Sequence, residues 1–356
     1  MSSQSSTIPK PRYFAAANSG KGFKSYFEEL FFNENIKRRY IIKGGPGTGK
    51  STLMRRLGAR AEQEGKNVEY YYCSSDTDSL DGIIIDSRIS VFDGTSPHSY
   101  DTVLPGALDE ILDLGRFWRA ESLAAYTNEI RMISDAKRSA YKRAYRYLSA
   151  ALEISLAMDV LAEPYRDRDK MRAAVLRACE KIPNGTGARI TPCAVSAIGT
   201  HGRVRFDSLE ACSAKLYAIC DSLGTAGAYL EALTTELLKK GCALRVAYDP
   251  IDTDRIEAVL VDDSGECFVT CSDPDSVPDN AQKINMKRFV LVERASEIRR
   301  EYRAAQKLRE GLISLAEQAI GDSGRAHLGL EKIYTESMDF EALGAFTDTL
   351  FEKIIQ

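Results

Sequence analysis

The chain has three histidines, a single tryptophan and no apolar run approaching the length of a membrane span. Its eight cysteines are scattered and form no dense framework, which points to reduced thiols in a cytoplasmic setting. Cys267 and Cys271 are the closest pair, but no histidine clusters near them, so they read as small buried thiols and not as metal ligands. Net charge is only -3, too little to give a global electrostatic footprint for nucleic acid or an anionic membrane. The opening MSSQSSTIPKPR is polar and lacks the apolar centre of a secretory signal. At 356 residues there is length for two or three domains.

What is present begins at residues 39–43 (RYIIK), a short apolar run that stops at Gly44-Gly45 and reads as a buried strand entering a turn. From Lys50 to about Gln63, Leu53, Leu57 and Ala61 recur one turn apart, an amphipathic helix with Gly65 as its stop. Val68–Cys73, Ile83–Ile85 and Ile89–Phe92 are further strand-like runs, and together they read as a βαβ unit with a parallel sheet. Gly106 to Ile182 reads as helical, including Lys137–Ile154, and residues 183–189 break it.

A second α/β pattern then repeats the first. Asp76–Asp86 matches Asp252–Asp262 without a gap, with four identical positions, and YIIKGGPGTGKSTL at 40–53 aligns with YAICDSLGTAGAYL at 217–230. Shared apolar patterning would not place DTD and the closing Asp in register, so the chain reads as an internal duplication.

Gly44, Gly45, Pro46, Gly47, Thr48, Gly49, Lys50 and Ser51 fit G-x-x-x-x-G-K-[ST] completely. Glycines let backbone N–H groups converge on phosphate oxygens with no Cβ in the way, and the following helix adds its N-terminal partial charge. Lys50 would reach the β- and γ-phosphates and Ser51 would ligate Mg2+, with Thr48 and Thr52 as supporting donors. Such a loop reads phosphates and not the base, and ATP is its commonest ligand. For the acid that completes the metal site, the candidates are Asp76, Asp86 and Asp93. Asp93 follows an apolar strand, and by simple counting Val269 stands opposite it in the second copy. That copy has also lost Gly49, Lys50 and Ser51, to Ala226, Gly227 and Ala228, and carries Asp221 in place of Gly44. An acid lost together with the loop is the metal-linked one, which selects Asp93. Asp76, Asp78 and Asp86 then read as turn or cap residues, although Asp76 and Asp78 lie just past a strand, where α/β sheets bind ligands. No glutamate follows Asp93 to activate water. His98 is a candidate γ-phosphate sensor. Lys137, Arg138, Lys142, Arg143 and Arg146, interleaved with Tyr141, Tyr145 and Tyr147, read as a solvated helix face whose tyrosines pack inward, or else as nucleic-acid contact or an arginine supplied to the γ-phosphate.

KGGPGTGKST, CSSDTDSLDG and FDGTSPH together resemble an uncharacterised group of bacterial proteins with tandem P-loop ATPase units. The resemblance implies ATP binding; the second loop is often better preserved in that group, so Asp221–Ala228 departs from it.

The expectation is an α/β protein of three-layer P-loop NTPase units, each a parallel sheet flanked by helices, internally duplicated and with helical extensions. The boundaries expected are 1–105 for the active unit, 106–186 for a helical region, 187–289 for the degenerate unit and 290–356 for a C-terminal helical extension. ATP and Mg2+ are the expected cofactors, and an internal pseudo-dimer the expected assembly, with room for a protein partner. A slow regulated ATPase is the leading function; a phosphotransferase and a non-catalytic nucleotide-sensing scaffold are its rivals.

Overall fold

A computed structural model describes residues 11–96, 99–271, 277–291 and 296–355. The first unit runs β1 (Arg12–Phe14), β2 (Ala16–Ser19), β3 (Gly22–Ser25), α1 (Phe27–Phe31), β4 (Arg38–Lys43), α2 (Lys50–Gln63), β5 (Val68–Tyr72), β6 (Leu80–Ile85), β7 (Ile89–Asp93) and β8 (Asp109–Asp113). Helices α3 (Ala120–Ala125), α4 (Thr127–Ala162) and α5 (Arg168–Glu180) follow. The second unit runs β9 (Arg189–Cys193), β10 (Ser196–Gly199), β11 (Gly202–Arg205), α6 (Ser208–Ala211), β12 (Lys215–Cys220), α7 (Thr225–Lys239), β13 (Ala243–Tyr248), β14 (Ile256–Val261), β15 (Glu266–Cys271) and β16 (Gln282–Asn285). Helices α8 (Arg299–Glu336) and α9 (Phe340–Ile355) close the chain. No helix among the described residues is long and apolar enough to cross a membrane.

The strands pair in the order β1-β5-β6-β7-β4-β8 in one sheet and β9-β13-β14-β15-β12-β16 in the other, one topology used twice. In the first, β4 is parallel to β7 and β8, whereas β5-β6-β7 is an antiparallel meander. Both sheets are mixed, which corrects the expectation of parallel sheets. The physical reason is connection length. Only Asp86, Ser87 and Arg88 lie between β6 and β7, and a parallel crossover needs roughly a dozen residues. Asp86 and Ser87 instead take φ of 50° and 55°, the tight hairpin turn with two left-handed residues. The matching turn of the second unit is one residue longer, with Gly265 at φ 76°. That extra residue moves the register: Asp93 pairs with Ile42, and Thr270 pairs with the equivalent Ile219. Thr270, not Val269, is therefore the counterpart of Asp93.

Strand β8 lies beyond residue 105 and extends the first sheet, tied to β4 by a buried ion pair between Arg39 and Asp109. One face of the first sheet is covered by α2, whose Leu53, Met54 and Leu57 pack with Leu343, Leu350 and Phe351 of α9. The second sheet is covered by α7, with Tyr229, Leu233 and Leu237 against Met171 and Val175 of α5. Between the sheets lies a shared core that joins Phe27, Phe31 and Phe92 to Ala194, Phe206 and Val269.

The helical extensions are exchanged. Helix α5 follows the first unit in the chain but packs on the second, and α9 follows the second but packs on the first. Among the described residues, helices α4 and α8 make the most extensive contact between any two elements, and the bridges Trp118–Met338 and Arg166–Val290 mark equivalent ends of the pair. The hairpins are exchanged too. Gly20 in the β2–β3 turn donates its N–H to the Ile251 carbonyl (2.9 Å), and Thr200 in the β10–β11 turn donates to that of Ser75 (2.8 Å).

Candidate functional site

The loop Gly44–Ser51 leaves the end of β4 and enters α2, with Gly47 (φ 66°) and Gly49 (φ 82°) in the left-handed region. A Cβ at Gly47 would lie 2.5 Å from Thr335 Oγ1 and 2.8 Å from the Glu331 carbonyl, so only glycine fits beneath α8. Buried Thr48 donates to the Gly45 carbonyl (2.9 Å) and closes the loop from inside. Pro46 lies within the loop, and the exposed Thr52 follows it. The Lys50 ammonium donates to the carbonyls of Gly44 and Gly45, each at 2.7 Å, and lies 3.5 Å from Asp93 Oδ2. The Ser51 hydroxyl accepts the N–H of Leu80 (3.0 Å), which fixes the start of α2 against β6.

Asp93 ends β7, and its Oδ1 accepts the Thr95 N–H (2.8 Å). Beside it lies Asp81 of β6, which the sequence reading passed over. Burial, then the charge of Asp93, pushes the Asp81 carboxyl up to about 8. Its signal was an acid inside the apolar run LDGIII, and its counterpart in the second unit, the half-buried Glu257, is likewise raised to about 8. A serine hydroxyl and the Asp93 carboxylate next to an ammonium are hard oxygen donors of the kind that suits Mg2+, with the Asp81 carboxyl behind them.

These groups form the floor of a cavity of about 930 Å³. Asp76 and Asp78 stand in its wall, while Asp86 sits away from it in the hairpin turn and accepts the Asn67 N–H (2.9 Å). Helix α4 contributes Lys137, Arg138 and Tyr141 to the lining, and α8 contributes His327, Glu331 and Thr335. The basic stripe of α4 therefore divides: Lys137 and Arg138 face the cavity, and Arg143 pairs with Asp322 of α8 (2.9 Å). Lys43 is a strand-end lysine, donating to the carbonyls of Gly94 and Tyr100. His98 lies outside the described residues. The second unit also reaches the site, through Thr200 in the cavity wall and His201, whose Nε2 is 3.6 Å from Asp78 Oδ2. Ligand-type atoms of Asp76, Asp78 and His201 lie within 4.8 Å of one another. The exchanged hairpin that brings them together carries no local sequence signal.

The second loop is built to the same pattern but closed. Thr225 repeats the Thr48 bond by donating to the Ser222 carbonyl (2.6 Å), and Gly224 repeats the left-handed Gly47. Asp221, in the place of Gly44, accepts the N–H groups of Gly224 (3.1 Å) and Ala226 (2.7 Å). Arg166 crosses from the end of α4 to the Leu223 carbonyl (3.2 Å) and to Asp159 (2.8 Å), which also holds Arg255. A carboxylate of the chain thus sits on amides that an anion would need.

The fold and site define a class: a duplicated α/β protein of two mixed-sheet units, with one open glycine-rich loop and one closed. A family model described as Nephrocystin 3, N-terminal, matches residues 24–84, from β3 through the open loop and α2 into β6. No curated protein matches the chain, and no solved structure matches it.

Proposed function

We propose that this chain is a P-loop NTPase that binds Mg·ATP at Gly44–Ser51 and hydrolyses it slowly, with its second unit as a structural partner. The observation that carries the reading is the meeting of Lys50, Ser51 and Asp93 under a left-handed glycine loop at the N-terminus of α2. The loop amides and the helix N-terminus favour a polyphosphate, and Lys50 adds a mobile positive charge for the terminal phosphates. Ser51 and Asp93 would hold Mg2+, which neutralises charge developing on the phosphoryl oxygens. Asp76 and Asp78 stand where they can orient water. The resemblance to bacterial tandem P-loop ATPases supports the same reading, and the eight free thiols agree with a cytoplasmic setting.

A second reading, phosphoryl transfer to a small acceptor, is favoured by one feature. The cavity continues from the loop to a buried polar end, where Tyr145 donates to Asn18 (2.9 Å) and Asn18 to Ser75 (3.1 Å). ADP release from Mg·ATP alone separates the two. Hydrolysis predicts turnover by the wild type that falls roughly a hundredfold or more in Lys50→Ala. Turnover only on adding an acceptor would favour transfer, and equal turnover in both proteins would contradict the role given to Lys50.

A further inference from the structure

Helix α4 carries a cation to the cavity that hydrolysis as described above does not use. Lys137 Nζ donates to His327 Nδ1 at 2.9 Å, across the seam between α4 and α8. The other ring nitrogen, Nε2, faces Glu331 Oε1 at 3.5 Å. The ammonium is therefore held through the ring, with the Glu331 carboxylate on the ring's far side. Burial lowers the Lys137 pKa against the opposing influence of Cys73 and Glu331, and the positive charge of Lys50 acts in the same direction as burial. Two lysines thus line one cavity whose floor is the glycine loop, so an anion seated on that loop would lie between an ammonium on the floor and one in the wall. The loop itself touches this seam, since Gly47 lies under Glu331 and Thr335.

We propose that Lys137 is a second cation for the terminal phosphate of ATP, acting across the cavity from Lys50, so that the α4–α8 seam tells ATP from ADP. This rests on nucleotide binding at Gly44–Ser51 and adds to it the element that reads the γ-phosphate. Lysine suits the task as a compact point charge on a flexible stem, able to leave His327 for a phosphate oxygen. When it does so, His327 loses its donor, and a contact between α4 and α8 is exchanged for one between α4 and the nucleotide. The far end of α4 holds the closed loop through Asp159 and its partners Arg166 and Arg255. From Lys137 to Asp159 the helix spans about 33 Å at about 1.5 Å per residue, so one rigid element touches both loops.

The test is the affinity of Mg·ATP and of Mg·ADP for the wild type, Lys137→Gln and Lys137→Arg. It is read by calorimetry and by fluorescence of Trp118, the chain's one tryptophan, whose ring would lie 3.1 Å from a Cβ at Gly45. Loss of one charge-assisted contact predicts that Lys137→Gln weakens ATP by about tenfold or more. ADP should stay within about twofold of the wild type, which also shows that the variant is folded. Lys137→Arg should keep much of the ATP preference. Equal weakening of both nucleotides, or of neither, overturns the proposal and leaves nucleotide binding standing. A wild type that binds neither nucleotide overturns both.

Discussion

The Asp221 carboxylate accepts the backbone N–H of Ala226 at 2.7 Å, from the position that Gly44 occupies in the first unit. One loop is thereby open at its amides and the other is satisfied by its own side chain. Asp221→Ala should cost stability by roughly 0.5–2 kcal/mol, the worth of a carboxylate on free amides at a helix start. It should not raise the number of nucleotides bound per chain, because Gly227 and Ala228 supply neither ammonium nor hydroxyl. Denaturant midpoints and equilibrium stoichiometry check the two halves of this prediction.

The exchanged C-terminal helix is the second point of test. Phe351 of α9 is 5% exposed and packs in the core beneath α2. Phe351→Ala should destabilise the protein by about 3–5 kcal/mol, from lost burial and the cavity left behind. Conservative Phe351→Leu should recover most of that loss. A change within about 0.5 kcal/mol, as for an ordinary surface position, would mean that α9 does not cover the first sheet.

Much of the site was legible in the sequence, and the reasons are local. The apolar run before Gly44, the spacing of Leu53, Leu57 and Ala61, and the glycines of the loop each act within a few residues. The antiparallel meander was legible in principle, because three residues after Ile85 cannot make a crossover, but the apolar runs alone do not state direction. Strand β8 was hidden because its pattern Asp-Glu-Ile-Leu-Asp buries only Asp109 and Leu112, and one of these is an ion-paired acid. The exchange of α5 and α9 was not legible at all. An apolar helical face such as Leu343–Phe351 specifies that it must be buried, not which of two similar sheets will bury it. For the same reason Thr200 and His201 could not be assigned to the first unit's site.

Glu257 supplies a pH test away from that site. Burial, then the charge of Asp249, raises its folded pKa to about 8. The folded state then holds a proton that the unfolded chain releases near its ordinary pKa of about 4.3. Its contribution is fully present below that value and is lost as pH rises towards about 8. In that window the slope approaches one proton, about 1.4 kcal/mol per pH unit. Glu257→Gln should flatten the fall in stability between the two values, as measured by urea unfolding across that range. An unchanged slope would show that Glu257 is ionised in the folded protein.

The most direct test of the central claim is a calorimetric titration of the full chain with Mg·ATP beside Lys50→Ala. The account predicts one nucleotide per chain for the wild type, from the open loop alone, and an affinity lowered roughly tenfold or more when the Lys50 ammonium is removed. Two nucleotides per chain, none, or binding indifferent to Lys50 would contradict it.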